Sequence, residues 1–239
     1  MQLVFLKLLI WKEGVIYHGG LLRFFHGFRV KETLQAKYHF PVAALNDGKA
    51  AALAELATGH LKGVTNGAAL VLGSGLGGGI IINGKLFQGS HFQAGELTFL
   101  LPLQMEKLDL SLMQGTTLSA VGLITKVNEI LASLDLKDGL LAFKAINAKK
   151  EAVYPIFETY CRNLAITILN LQTIFDMETF VLGGGISAQS ILIEEVNRQF
   201  DKVHHEIDFI GKIIKRPKIV ACHHNGTNLI GAAYFLKQG

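Results

Sequence analysis

The stretch from residue 68 to residue 96 holds the densest set of residues that could do chemistry. It reads AALVLGSGLGGGIIINGKLFQGSHFQAGE, with glycines at 73, 75, 77, 78 and 79. Glycines offer almost no side chain to a hydrophobic core, but they let backbone N–H groups approach an anion closely. We therefore expect this segment to bind an anion, and phosphate is the anion that we expect.

Two well-known nucleotide-binding motifs nearly match this segment, and the neighbouring residues argue against both. Residues 73–78 fit the dinucleotide pattern G-x-G-x-x-G, which must open a helix, but an Ile-Ile-Ile run and an Asn-Gly hairpin signal follow at 80–84. Residues 79–85 have the spacing of a P-loop, yet Leu86 stands where Ser or Thr should bind magnesium. We predict a strand, a tight loop, a strand, a hairpin and a strand. A glycine-rich hairpin without a ligand stays open as the alternative.

Asp47 is the second candidate for chemistry. Residues 41–45 predict a short buried strand, and the alanine-rich segment 50–57 predicts a helix that stops at Gly59. Asp47 would then lie where the strand ends and the helix begins, and the helix dipole would favour its ionised form. A plain N-cap role for Asp47 is the simpler interpretation and stays open.

A second glycine turn follows a predicted strand at 180–182. This strand runs into Gly183, Gly184 and Gly185, and Ser187 is predicted to cap a helix that runs to about Phe200. Such a unit directs backbone N–H groups and a helix N-terminus at one point. Further helices are predicted at 31–38, 116–133, 137–147, 150–175 and 227–236, with a strand at 219–221. Strands that alternate with helices indicate an α/β fold, and the hairpin indicates a mixed sheet.

The composition indicates a folded domain with a large core and argues against one class of partner. The chain has 239 residues, of which 50% are hydrophobic and 18% charged, so it can form one large domain or two lobes with a sizeable core. The net charge of +4 is spread over scattered basic residues, which argues against nucleic-acid binding.

Cysteine usage and the first residues bear on the cellular compartment. Cys161 and Cys222 lie far apart in apolar sequence, as expected of buried, reduced thiols in a cytoplasmic protein. Residues 1–11 are apolar but too short to span a bilayer, and they lack the features of a signal peptide. They read either as a buried strand or as a truncated or miscalled start.

Taken in order, these motifs resemble the ROK (repressor, open reading frame, kinase) family, from about Gly14 to the C-terminus. The segments that carry the resemblance are Asn46-Asp47, Leu72–Gly79, Asn83-Gly84-Lys85, Ala94-Gly95-Glu96 and Leu182–Ser187. The resemblance implies a two-lobed actin/hexokinase-like (ribonuclease H-like) α/β fold with mixed sheets. On that fold we expect a remnant of the small lobe at 1–67, the large lobe at 68–226 and a C-terminal helix at 227–239 that returns towards the small lobe.

The resemblance also implies an ATP-dependent sugar kinase acting on a hexose or hexoside, such as glucose, N-acetylmannosamine or a β-glucoside. Asp47 matches the general base that takes the proton of the sugar hydroxyl, and Asn46, Gly95 and Glu96 match the sugar-binding positions. The positions that match ATP- and phosphate-binding residues are Gly73, Ser74, Gly75, Gly77, Gly78, Gly183, Gly184 and Gly185. ATP with Mg²⁺, a cytoplasmic location and a possible homodimer complete what the resemblance implies.

Three departures from the family pattern qualify this expectation. No Asp-x-Gly-Gly-Thr turn occurs in residues 1–40, so we expect a small lobe truncated at its N-terminus, and a catalytically impaired sugar-binding remnant or regulator is the alternative function. No Gly-His and cysteine cluster follows Glu96, which resembles the zinc-free branch of the family, and no zinc is expected. No helix-turn-helix precedes the kinase-like part, so a DNA-binding sugar sensor is the weakest hypothesis.

Overall fold

A computed structural model describes residues 3–5, 9–10, 14–17, 23–101, 109–206, 208–223 and 228–238, and all that follows concerns these residues. The strands are β1 (Leu3–Phe5), β2 (Leu9–Ile10), β3 (Ile16–Tyr17), β4 (Ala44–Asn46), β5 (Gly67–Leu72), β6 (Leu76–Ile82), β7 (Lys85–Phe87), β8 (Thr179–Gly183) and β9 (Lys218–Ala221). The α-helices are α1 (Val30–Tyr38), α2 (Asp47–Thr58), α3 (Gln114–Thr117), α4 (Ala120–Ile130), α5 (Gly139–Asn147), α6 (Tyr154–Phe175), α7 (Ser190–Glu206), α8 (Asp208–Ile213) and α9 (Asn228–Gln238).

A five-stranded mixed sheet in the order β7-β6-β5-β8-β9 forms the centre of the molecule. Strands β5, β8 and β9 are parallel, whereas β6 runs antiparallel to both of its neighbours. The β6–β7 hairpin turns at Asn83 and Gly84, whose φ values of 52° and 68° are both positive, as a tight two-residue hairpin requires. The predicted series of strand, tight loop, strand, hairpin and strand is confirmed, as is the α/β class with a mixed sheet.

The two faces of this sheet carry different helices because alternate residues of a strand point to opposite sides. Leu70, Leu72 and Phe180 belong to a core that helices α4 to α7 complete. Ala69 and Val181 belong to a second core, on the opposite face, which α2 completes. The sheet is therefore covered by helices on both sides, in agreement with its apolar strands.

Helix α9 covers the outer side of α2. The contact is so close that a Cβ added to Gly231 would lie 1.8 Å from the carbonyl oxygen of Ala50. Helix α9 also touches β1, and β1 pairs in parallel with β4, so that Phe5 is the partner of Asn46. The predicted C-terminal helix is thus present, while its predicted first residue, Thr227, lies outside the described residues. The division into lobes at 67 and 226 stays a prediction.

The first residues contain more than the single buried strand that was one interpretation of them. Strand β1 pairs with β4, and β2 pairs antiparallel with β3, with Leu9 opposite Tyr17. The remaining residues of 1–13 and of 18–22 lie outside the described part of the chain. Among the described residues, no helix combines the length and apolar character that crossing a membrane would require.

Three local predictions were wrong. Ser187 does not cap the following helix, because that helix begins only at Ser190 and extends beyond Phe200 to Glu206, while the Ser187 hydroxyl donates to the Gly184 carbonyl (2.8 Å). Ser119 divides the predicted helix at 116–133 by capping α4 through the N–H of Gly122. Of the two cysteines predicted to be buried, only Cys161 is fully so, since Cys222 is half-buried.

Candidate active site

Asp47 and Asn46 lie at the junction of β4 and α2, where the sequence predicts them. Asn46 is the N-cap residue, and its Oδ1 accepts hydrogen bonds from the N–H groups of Gly48 (2.9 Å) and Lys49 (3.4 Å). The interpretation of Asp47 as the N-cap is therefore wrong, because Asp47 is the first residue of the helix. Its Oδ1 also accepts from Gly48 N–H (2.9 Å), and its exposed fraction is 7%. A carboxylate held in this way at a helix N-terminus is fixed in position and favoured in its ionised form.

Three of the clustered glycines, at 77, 78 and 79, lie inside β6, so that the predicted tight loop is confined to residues 73–75. A Cβ on Gly78 would lie 2.7 Å from the Gly95 carbonyl oxygen, and one on Gly48 would lie 2.6 Å from the Gly78 nitrogen. Gly79 likewise faces α2, with its added Cβ only 2.5 Å from the Ala52 Cβ. The missing side chains let α2, β6 and the segment at Gly95 pack backbone against backbone.

This close packing brings Glu96 into the electrostatic field of Asp47 and Lys49. Burial raises the pKa of the half-buried Glu96, the Lys49 ammonium partly counteracts the rise, and the Asp47 carboxylate adds to it. Burial lowers the pKa of Lys49, and Glu96 counteracts that effect. Two carboxylates and one ammonium thus act on one another next to β6, against which α2 packs.

The two glycine turns lie side by side at the carboxyl ends of the adjacent parallel strands β5 and β8. Gly73 N–H donates to Gly75 O (3.0 Å), and Gly73 O accepts from Ala120 N–H (2.8 Å), which fixes the first turn on the start of α4. Gly184 has a φ of +100°, and a Cβ there would lie 2.1 Å from the Leu72 carbonyl oxygen. The crevice outside the carboxyl ends of parallel strands is where open α/β sheets bind ligands.

A cleft of about 530 Å³ opens at these turns. Gly73 and Ser74 line this cleft from the first turn, and Gly185 lines it from the second. Phe143 of α5 and Asp138, the residue directly before α5, line another side. The predicted site residues therefore form two groups. Gly73, Ser74 and Gly185 line the cleft, whereas Gly78 packs against Gly95 and Gly48, which are the neighbours in sequence of Glu96 and Asp47.

Sequence reasoning missed Lys49 and Gly48. Lys49 precedes Ala52, Leu53 and Leu56 by three, four and seven positions, which is the spacing of one helix face, and those three residues are buried. That periodicity was the available signal that Lys49 points inward. Gly48 gave no local signal, because its role depends on the distant Gly78.

Among the described residues, no group of three or more His, Cys, Asp or Glu side chains could hold a metal ion. Mg²⁺ in phosphoryl-transfer sites commonly uses one or two carboxylates and takes its other ligands from phosphates and water. A magnesium ion that binds here together with ATP would therefore take most of its ligands from the phosphates and from water.

The mixed sheet with its paired glycine turns, together with the solved structures it matches, defines an actin/hexokinase-like fold. A ROK family protein from Streptococcus pneumoniae in complex with sucrose superposes with a TM-score of 0.81 at 29% identity, covering 97% of this chain and 77% of the other. A ROK family glucokinase from Streptomyces griseus in complex with glucose and AMPPNP shares the fold, with a TM-score of 0.76 at 23% identity over 90% of this chain and 74% of the other.

Comparison of sequences leads from this fold class to the family. The ROK family profile matches residues 11–239. The β-glucoside kinase of Listeria innocua is 31% identical over 236 residues, which cover 95% of this chain and 75% of that protein. The chain belongs to the ROK family.

Proposed function

We propose that this protein is an ATP-dependent sugar kinase that phosphorylates a hydroxyl of a hexose or hexoside, with Asp47 as the general base. The observation that carries the proposal is the placement of the buried Asp47 carboxylate directly before Gly48, which packs backbone against backbone on Gly78, in the strand that continues from the Gly73–Gly75 turn. A base next to a backbone suited to phosphate is the arrangement that phosphoryl transfer needs.

In the proposed reaction, the cleft at Gly73, Ser74 and Gly185 holds the nucleotide, and its phosphates extend along the first glycine turn towards Asp47. Asn46, Gly95 and Glu96 bind the sugar. The sugar oxygen forms a bond to the γ-phosphorus while the bond from that phosphorus to the β-bridging oxygen breaks, and Asp47 accepts the hydroxyl proton. Mg²⁺, when bound with ATP, neutralises phosphate charge.

The similarity to a β-glucoside kinase supports β-glucosides as the first substrates to test, followed by glucose, N-acetylmannosamine and N-acetylglucosamine. Use of Mg²⁺, homodimer formation, absence of nucleic-acid binding and a cytoplasmic location belong to the same proposal.

A coupled assay of ADP release over this panel of sugars tests the proposal. We expect Asp47→Asn to lower kcat by about 10²–10⁴-fold, the usual contribution of a general base, and to keep the fold. Asp208→Asn is the matched control, because the Asp208 side chain is exposed and forms a surface ion pair with Lys212.

Two outcomes contradict the proposal. If wild type and Asp47→Asn are equally silent on every sugar, the chain is not a kinase for these substrates. If calorimetry then shows that a sugar binds without turnover, the impaired sugar-binding alternative is favoured.

A further inference from the structure

Lys49 is buried more completely than lysines usually are. Its exposed fraction is 2%, and it lies on the face of α2 that meets β6, where its Cα lies 3.0 Å from the position of a Cβ added to Gly79. Buried lysines are almost always paired, because an unpaired ammonium pays a large desolvation cost. The Lys49 ammonium donates a hydrogen bond to the backbone carbonyl of Phe92.

That hydrogen bond fastens α2 to a segment with an unusual backbone. Gly89 (φ 73°), Phe92 (φ 59°) and Gly95 (φ 85°) all have positive φ, and Phe92 is not a glycine. A non-glycine residue is uncommon in this region of backbone space and persists only where the surroundings hold it. The segment leads directly to Glu96, so a contact that fixes Phe92 also fixes the position of Glu96.

The charged groups of α2 also act on Glu96. Among the described residues, the charged groups that bear on Glu96 are Lys49 and Asp47, and both come from α2. Asp47 repels the Glu96 carboxylate, whereas Lys49 attracts it. Without Lys49, the buried Asp47 and the half-buried Glu96 would share this region, and no other cation in the described part of the chain would act on Glu96.

We propose that Lys49 is a positioning residue, whose buried ammonium fastens the 92–96 segment to α2 and supplies the positive charge that lets the Glu96 carboxylate lie beside Asp47. A sugar hydroxyl that donates to Glu96 then meets a fixed, ionised acceptor. This inference rests on the proposed role of Glu96 in sugar binding.

Three variants separate the contributions of Lys49. Lys49→Met removes both the charge and the donor, Lys49→Gln removes the charge and keeps a donor, and Lys49→Arg keeps both. Lys62→Met is the matched control, because Lys62 is exposed and lies beyond the end of α2.

The first measurement is the calorimetric Kd, without ATP, for the sugar of the panel that wild type binds most tightly, at pH 6 and pH 8.5. We expect Lys49→Met and Lys49→Gln to weaken binding by about 10- to 100-fold at pH 6, the value of one charge-assisted hydrogen bond. The loss should shrink at pH 8.5, where Glu96 regains its charge, and Lys49→Arg should retain binding. An equal loss at both pH values, or no loss, overturns the proposal.

The second measurement does not depend on the sugar. ¹³C NMR of labelled glutamate side chains, with Glu96 assigned through Glu96→Gln, follows the titration of Glu96 directly. We expect its midpoint to move to higher pH in Lys49→Met and Lys49→Gln but not in Lys49→Arg or Lys62→Met. If the midpoint does not move, the inference is wrong even if the protein is a kinase. If the midpoint moves but no sugar of the panel binds, the effect of Lys49 on Glu96 stands and the proposed substrate is wrong.

Discussion

The backbone contact at Gly78 yields a quantitative prediction for Gly78→Ala. The added Cβ would lie 2.7 Å from the Gly95 carbonyl oxygen and 2.8 Å from Leu97 Cδ1, whereas ordinary contact begins at 3.4 Å. The Gly95 segment must therefore move away by roughly 0.7 Å, and overpacking of this kind costs about 1–3 kcal/mol. For a chain of this length, the Tm should fall by about 2–12 °C.

The same displacement should affect the proposed reaction, because Glu96 follows Gly95 directly. A misplacement of about 1 Å can cost 10²-fold in rate, so we expect Gly78→Ala to lose about tenfold or more in kcat/KM for the sugar. Differential scanning calorimetry and the ADP-release assay measure the two effects separately.

Gly77→Ala is the control one residue away. Its Cβ would lie 3.5 Å from the Val71 Cβ, which is ordinary contact, so its Tm should change by no more than about 2 °C. The reasoning is refuted if Gly77→Ala and Gly78→Ala melt at the same temperature, since close approach of the Gly95 segment would then not require a glycine in β6.

Two further predictions concern the stability of the helices. Gly231→Ala should destabilise the protein more than Gly78→Ala, because its Cβ would lie 1.8 Å from the Ala50 carbonyl oxygen; comparison of urea denaturation midpoints checks this order. Burial raises the pKa of Glu195, but hydrogen bonds from Arg198 and Gln199 outweigh this effect, so that its pKa lies below the ordinary value. The ionised Glu195 therefore stabilises the fold at pH values above its unfolded-state pKa. This contribution to stability is lost as the pH falls through the folded-state pKa of Glu195. Arg198→Leu should lower the Tm at neutral pH and should make the Tm depend less on acid pH. Identical pH profiles of Tm in wild type and Arg198→Leu would contradict this prediction.

Most of the elements near the candidate site could be predicted from the sequence, because their signals are local. The Asn83-Gly84 turn, the alanine-rich α2 and the stop at Gly59 each depend on residues within a few positions. The position of Asp47 between a strand and a helix followed from two such local signals. Local propensity and the observed fold agree in these places.

Features that depend on distant residues could not be predicted. From the sequence, Gly78 resembles a loop glycine, whereas the structure places Gly48 and Gly95 against it. No residue near Gly78 in the chain predicts these contacts. Ser187 has the residue type of an N-cap, but its hydroxyl donates to Gly184 instead, because the glycine turn bends back towards it. The coupling of Lys49 to Glu96 likewise arises only once β6 has joined the two segments.

The contact between α9 and α2 has a consequence for the order in which the protein can fold during synthesis. Helix α2 carries Asp47, and its outer side is covered by a helix that the ribosome makes after nearly all of the described chain. Until α9 emerges, a nascent chain can pair β5 with β6 and place α2 on the sheet, but Ala50 stays uncovered. Contacts between segments this far apart in sequence are slow to form. The candidate site should therefore be among the last parts of the protein to become ordered, and a stalled chain that lacks α9 should be recognised by chaperones through the exposed side of α2.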